Sequence, residues 1–461
     1  MLLRAQGTTS VVSAFTDAFR RNPRDTAIAA LAIPALGTLA LDPLVSIVDT
    51  AWVGRLGTVP LAALAVASAV FAAVFSIFNF VHSAITPLVA GEVGRGDLHR
   101  AGSISVGAVV IAGVVGVVVA ALSIAASSWI VDAFGAEPDV AREATAYLRI
   151  RFLGLPAMLI AMVGHGVYRG HSDTRTPLFV VIGLTVINLI LDPVLIYGAD
   201  LGVSGAAWAT VVAQAFAAFA FLVLMFGLQR VRLGISRHIG RLDSLGIGRI
   251  LSAGWPMMVR SAALLAALTA ITAAATRTGT TQVAAHQIAL QVWLFLSFVL
   301  DSYAIAAQAM VGTDLGSGDV RAARSVSNRL LALGVMTGLM LSMLLFLSAA
   351  GVPVLFGAND QVTDALSGIY AFVIVLQPLT ALVYVWDGIG IGASAFRFLA
   401  ASMVVAFVLT VATLVLVGDT LVGVWAAVGV LTVSRLVALA WWYAVGPLAR
   451  GRGPSRVSQG A

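Results

Sequence analysis

This chain of 461 residues contains no cysteine, which excludes disulfides and thiolate metal sites and leaves the redox compartment unreadable. It contains no lysine either, so all 27 basic residues are arginine. Without a phosphate-loop lysine, a P-loop ATPase within this chain is excluded, and coupling to ATP would need a separate subunit. Charge is scarce: charged residues make up 10% of the chain, against about 25% in soluble domains. Apolar residues make up 60%, and the mean hydropathy is +1.00. A soluble protein must leave roughly a quarter of its surface facing water, and this composition cannot supply that surface. The bilayer is the natural solvent. The net charge of +6 and the isoelectric point near 10.3 would suit nucleic acid. The arginines, however, sit in short loops between apolar spans and not on one face with interleaved aromatics, so no nucleic-acid partner is expected.

The chain also repeats itself. At one fixed displacement, Ile33-Pro34 falls on Trp255-Pro256, Arg55 on Arg277, Gly57-Thr58 on Gly279-Thr280, Gly96-Asp97 on Gly318-Asp319, and Phe134-Gly135 on Phe356-Gly357. Gly166, Gly170 and Arg175 likewise fall on Gly388, Gly392 and Arg397. Two copies of one hydrophobic unit predict a two-lobed membrane machine with its working cavity where the lobes meet.

Apolar runs near the length of about 20 residues that crosses a hydrocarbon core recur at 29–53, 60–90, 104–128, 145–169, 177–197, 203–228, 250–275, 282–311, 327–349, 366–393, 398–417 and 421–447. Twelve spans make an all-α polytopic protein of two pseudo-symmetric six-helix lobes. The domain plan is a cytoplasmic lead-in (1–26), a first lobe (27–228), a cytoplasmic linker (229–249) with five arginines and Asp243, a second lobe (250–447) and a cytoplasmic tail (448–461). The start of the chain, with Arg4, Arg20, Arg21 and Arg24, lacks the compact apolar region and cleavage site of a signal peptide and reads as a partly amphipathic lead-in. With the N-terminus inside, inside segments hold 20 of the arginines. Outside segments hold only Arg55, Arg142, Arg149, Arg151 and Arg277, while Arg260 and Arg435 lie within spans. This bias supports an even span count with both termini in the cytoplasm, and the expected location is the cell membrane. Because six is even, the copies enter the membrane the same way round, as parallel repeats.

An ionisable group at bilayer depth costs about 2.5–3.5 kcal/mol on insertion scales and so marks a functional position by default. Asp49 lies near the outer end of span 1. Asn188 and Asp192, four apart on span 5, share one helical face, and Thr210 lies about two turns from the outer end of span 6. All four can converge at one level. Such an oxygen-rich nest suits a proton shared between two carboxylates, since burial and mutual repulsion disfavour two charges side by side. It equally suits a small hard cation such as sodium. Asp42, seven residues before Asp49, either lines the same cavity or caps a kink at Pro34. The nest is not duplicated: Asp49, Asn188 and Asp192 meet Ile271, Thr410 and Leu414 in the second copy. The second half instead carries Arg260, Asp301 and Asp387, either a self-satisfied ion-pair staple or a coupling or substrate site. His82, His165 and His286 read as packing residues. Gln287, Gln291, Gln308 and Gln377 read as cavity dressing or cross-helix bonds. Arg435 is expected to snorkel or pair locally, and the span-2 phenylalanines (Phe71, Phe75, Phe78, Phe80) to face lipid or core.

Val48-Asp49-Thr50 followed by Gly54, the loop Gly94-Arg95-Gly96-Asp97, the run Asn188 to Asp192 and the segment Gly205 to Thr210 together resemble the multidrug and toxic compound extrusion (MATE) family. Asp387-Gly388 and the position of Arg260 resemble its DinF-like branch. The resemblance, from about residue 27 to 447, implies a V of two six-helix lobes and a secondary antiporter. It would export bulky amphiphilic or cationic compounds against a proton or sodium gradient, with no other cofactor. By that resemblance Asp49, Asn188, Asp192 and Thr210 match the family's proton or cation site and Asp387 an acidic position of the second lobe. The span-7 glutamate of some sodium-coupled branches is replaced in that region by Arg260, which favours protons and leaves sodium open. The expected partners are drug-like small molecules and the lipid bilayer, with the protein acting as a monomer. A flippase of lipid-linked precursors, of broadly similar fold, would call for a large cationic cavity and extra spans. A membrane-embedded enzyme would need a nucleophile–base or metal cluster, and neither a His pair at metal spacing nor Gly-x-Ser-x-Gly occurs. A channel would need rings of identical charge.

Overall fold

The computed structural model describes residues 22–78, 80–236, 245–446 and 448–449. Most of the expected lead-in and tail, and the middle of the linker, lie outside the described residues, as does the side chain of Asp42. Among the described residues the secondary structure is helical, without strands.

The first lobe comprises α1 (Pro23–Gly54), α2 (Thr58–Phe78), α3 (Phe80–Gly94), α4 (Leu98–Ala133), α5 (Pro138–Leu153), α6 (Leu155–Gly170), α7 (Arg175–Pro193) and α8 (Gly202–Val223). α2 with α3 form one span, and α5 with α6 form another that bends by 47°. α7 and α8 each finish in a wider π turn, Val194–Gly198 and Leu224–Leu228. The second lobe comprises α9 (Ile247–Arg277), α10 (Thr280–Gly316), α11 (Val320–Leu347), the short α12 (Gly351–Leu355), α13 (Asp360–Gly392), α14 (Phe396–Val417) and α15 (Leu421–Val445). Eleven spans plus the bent pair make the expected twelve. Helices close every backbone hydrogen bond internally, which hydrocarbon requires. Side chains such as Val114, Leu122, Phe219 and Leu347 stay exposed on the outside of the bundle, where lipid solvates them.

The backbone repeats as the sequence does. Left-handed conformations recur at matching positions of the two copies: φ is 125° at Gly57 and 126° at Gly279, 77° at Gly96 and 82° at Gly318, and 67° at Gly135 and 65° at Gly357. These turns need a residue without a Cβ. Ser172 and Ser394 share the same unusual φ, 56° and 57°. Asp97 and Asp319, one residue after the second glycine pair, cap α4 and α11 by accepting from the backbone N–H of Arg100 (2.9 Å) and Ala322 (2.8 Å).

One span breaks this symmetry. Pro156 and Pro378 are repeat partners, yet α13 runs unbroken through Pro378 while its counterpart bends at Gly154. The position equivalent to Gly154 is Leu376. A proline removes one rung of the helix ladder, and glycine beside it removes the remaining resistance to bending. The first of the two prolines inside α1 is served differently. Pro34 leaves the Ala30 carbonyl without its helical donor, and the Thr174 hydroxyl bridges to Ala30 O (3.4 Å) and Leu31 O (2.8 Å).

The closest approaches between the lobes lie at the arginine-rich end. A Cβ on Gly94 would overlap the Thr313 carbonyl, and one on Gly316 would overlap that of Gly91, so α3 and α10 touch backbone to backbone there. Asp25 in the first turn of α1 takes a two-pronged bond from Arg329 of α11, at 2.6 and 2.7 Å, and Arg24 donates to Ala322 O at 2.7 Å. Buried Glu92 at the end of α3 accepts from Arg249 of α9 at 2.6 Å and from Arg95 at 2.9 Å. The described ends of the linker are docked, not loose: Leu233, Ile235 and Leu245 are buried, and Gly102 and Gly107 of α4 let the Gly234 and Leu245 carbonyls sit against the helix.

The Asp25–Arg329 pair therefore latches the lobes at this end. Asp25→Asn is expected to shift the balance toward an opening there by about fivefold, from about 1 kcal/mol, because a third of Asp25 faces solvent and screens the pair. The chain's lack of cysteine allows labels at Arg175→Cys and Arg397→Cys, both exposed and one on each lobe. Inter-label distances measured by pulsed electron resonance should lengthen in the variant, and an unchanged distribution would dismiss the latch.

Candidate functional site

The bent span, α7 and α8 bring the polar residues of the first lobe to one place. Asn188 and Asp192 occupy one face of α7 and are buried, and Asn188 Nδ2 donates to Thr210 Oγ1 of α8 at 3.4 Å. Thr210 in turn donates to Ala206 O at 3.0 Å. Asp49, near the end of α1, comes within hydrogen-bonding reach of Asp192. Two ionised carboxylates offer no donor to each other, and Asp49 Oδ1 and both oxygens of Asp192 are buried without a hydrogen-bond partner. Buried acceptors left in this state are costly. One proton between the carboxyls turns an acid into a donor and relieves both. All four residues expected from the sequence thus meet in the first lobe.

The structure adds residues the sequence reading passed over. Arg151, assigned there to the outside charges, is buried in the last turn of α5, one turn after Tyr147. Its guanidinium lies 4.0 Å above the centre of the Phe71 ring, donates to Gln214 Oε1 at 3.2 Å, and sits within electrostatic range of Asp49. Tyr147 is buried within range of Arg151 and of both acids. A Cβ at Gly154 would fall 2.6 Å from Gln214 Oε1, so the glycine that permits the bend also admits Arg151's partner. Phe71 is not simply core filler: it is the platform under a buried cation.

In the second lobe Arg260 bonds Asp387, as the sequence suggests, and of the two alternatives for Arg435 the structure shows pairing: it is largely buried and donates to the same Asp387 oxygen at 3.4 Å. Asp301 stands at longer range from Arg260 and from Arg169 of the first lobe. His165 packs edge-on against Phe221, His286 against Trp425, and His82 bonds Ser83 and Arg169. Gln308 and Gln377 are buried, whereas Gln287 and Gln291 are exposed. Among the described residues no group of three or more His, Cys, Asp or Glu could hold a metal ion.

This fold, two parallel six-helix lobes with buried charge in each, is that of a multi-pass membrane transporter. The MatE family model matches residues 34–194 and again 256–416, one match in each copy of the repeat and in the same register. The chain belongs to the MatE family of multidrug and toxic-compound efflux transporters. It is 35% identical over 431 residues to Protein DETOXIFICATION 44, chloroplastic, of Arabidopsis thaliana, covering 90% of this chain and 81% of that one. It is 27% identical to the DNA damage-inducible protein F of Escherichia coli K12, over 90% of this chain and 91% of that protein. A structure described as the outward-facing conformation of a multidrug resistance MATE family transporter superposes with a TM-score of 0.83 at 21% identity, covering 95% of this chain and 98% of that one.

Because Asp387 serves two guanidinium groups, its loss strands both. Asp387→Asn should destabilise the protein by about 3 kcal/mol, as breaking a buried ion pair does. Arg260→Gln should cost less, since Arg435 stays on the carboxylate. Thermal unfolding in detergent, followed by tryptophan fluorescence, ranks the two, and the reverse order would contradict this account.

Proposed function

We propose that this chain is a proton-driven antiporter of the cell membrane, with both termini in the cytoplasm. It would act as a monomer, export amphiphilic and cationic drug-like compounds, and use no cofactor beyond the coupling ion. The observation that carries the reading is the pair Asp49–Asp192, in which Asp49 Oδ1 and both Asp192 oxygens are buried without a donor and which one proton would satisfy. The tight packing at the arginine-rich end supports an outward-facing state in which protons reach the pair from the far side. The names of similar proteins, multidrug resistance proteins among them, support the substrate class.

In this reading a proton taken up from outside joins the two carboxyls and removes one buried charge. The outer half of α1 then bends in the region from Pro34 to Asp42. There the helix ladder lacks two rungs, at the Ala30 carbonyl for want of a Pro34 N–H and at the Leu39 carbonyl for want of a Pro43 N–H, and Thr38 donates back to Pro34 O at 3.1 Å, a bond that favours bending. Repacking of α1 narrows the cavity and releases substrate outward. The lobes then rock inward, the proton leaves to the cytoplasm and substrate binds again. The gradient drives the cycle only because the two states differ in proton affinity.

In proteoliposomes with a cationic dye, a pH gradient imposed alone is expected to drive transport and a sodium gradient alone to fail. Asp49→Asn and Asp192→Asn should each abolish pH-driven transport, to less than about a hundredth of the original rate if the carboxylate is the sole proton carrier, while leaving size-exclusion profile and melting intact. Full efflux by Asp192→Asn would refute the assignment, and transport on a sodium gradient alone would replace the proton with sodium.

A further inference from the structure

We infer that Arg151 is the residue that fixes ion selectivity at the first-lobe site: a built-in cation that lets the acid pair take a proton and refuse sodium. The inference rests on the antiporter reading above and concerns a residue outside the four-residue nest.

The geometry carries it. The Arg151 side chain is anchored on three helices at once: it rises from α5, lies 4.0 Å over the ring of Phe71 on α2, and donates to Gln214 on α8 at 3.2 Å. Neither anchor neutralises it. A ring face and an amide oxygen stabilise a guanidinium without cancelling its charge, and guanidinium does not give up its proton in proteins. The position is built: the bend at Gly154 brings the last turn of α5 inward, and the missing Cβ there makes room for Gln214. None of this is in the second lobe, where Val373 replaces Arg151, Leu376 replaces Gly154 and the acids are absent.

On α8 Gln214, the partner of Arg151, is one turn from Thr210, which bonds Asn188, itself one turn from Asp192 on α7; Arg151 is within electrostatic range of Asp49, and Tyr147 of both acids. Of these only Asp49, Asp192 and Arg151 carry formal charge with Tyr147 neutral. Two carboxylates and one guanidinium sum to a single negative charge. One proton brings the nest to neutrality, held as an O–H between the acids with no separate cation in the pocket. A sodium ion would neutralise it too, but as a dehydrated point charge near a fixed guanidinium that cannot retreat, with like-charge repulsion in a site of low polarity. Without Arg151 the pair would carry two negative charges and oxygen ligands from Asn188 and Thr210, a setting that attracts a small hard cation.

The test measures binding of radioactive sodium by scintillation proximity, on purified full-length protein at alkaline pH where protons do not compete. The unaltered protein is expected to bind none above the protein-free background. Arg151→Gln should bind sodium at least about tenfold more tightly, the factor that about 1.4 kcal/mol of relieved repulsion supplies, and so give a signal above that background. Adding Asp192→Asn to it should remove the gain. Arg151→Lys keeps the charge and should stay sodium-refusing, which a merely structural role for the side chain would not predict. If Arg151→Gln fails to fold, Arg151→Met, which keeps packing against the Phe71 ring, takes its place. Sodium binding by the unaltered protein, a folded Arg151→Gln or Arg151→Met without the gain, or an equal gain in Arg151→Lys overturns the inference. Failure of the antiporter reading is separate: it shows as absence of pH-driven dye transport in the unaltered protein, which the binding measurement does not involve.

Discussion

The structure depends on the cost of holding charge where no water reaches it. In hydrocarbon or tightly packed protein, an unpaired carboxylate or guanidinium is among the most expensive groups to place. This protein places several, and the surrounding helices can be understood as arrangements that answer them. In the second lobe the answer is mutual, with Asp387 serving Arg260 and Arg435. In the first lobe it is incomplete. Asp49 and Asp192 face each other with unpartnered oxygens, while Arg151 stands off on an aromatic ring and an amide. A fully paired cluster resists change, whereas an under-satisfied one responds to the arrival of a single particle.

A duplicated scaffold makes this asymmetry readable. The same turns, with the same left-handed glycines and the same aspartate caps, recur at corresponding places in both lobes. What repeats is the framework that any six-helix lobe needs. What does not repeat is the acid pair, Arg151 and the bend beside it. The division between shared architecture and single-copy chemistry runs through the molecule at the level of individual residues.

Much of this could be seen in the sequence, for identifiable reasons. Twelve apolar runs and an arginine bias carry a membrane topology because the hydrocarbon thickness and insertion costs act on local composition. Asp49, Asn188, Asp192 and Thr210 stood out because polar residues within apolar runs are few, and helix periodicity and depth were enough to bring them together. Arg151 was hidden by its neighbours. α5 carries Arg142, Glu143 and Arg149 as well, so it reads as a charged loop approach, and only the packing of Phe71 and Gln214 around the guanidinium shows that it turns inward. The bend was hidden for the opposite reason. Both copies hold the proline, so pattern alone treats them alike; the difference lies in one glycine whose effect depends on what packs against it. For Arg435 the sequence left snorkelling and pairing open, because its partner Asp387 lies 48 positions away on another helix and only the packing brings the two together.

Gly246, left-handed with φ of 65°, follows the docked Leu245 and immediately precedes α9. The second lobe therefore begins at a joint fastened to the first lobe's α4, at the same end where the lobes press together. A joint at one edge of a slab about 30 Å thick acts as a lever. A tilt of about ten degrees there sweeps the far edge by about 5 Å, close to the pitch of one helical turn. Small adjustments at the fulcrum thus become passage-sized openings across the bilayer.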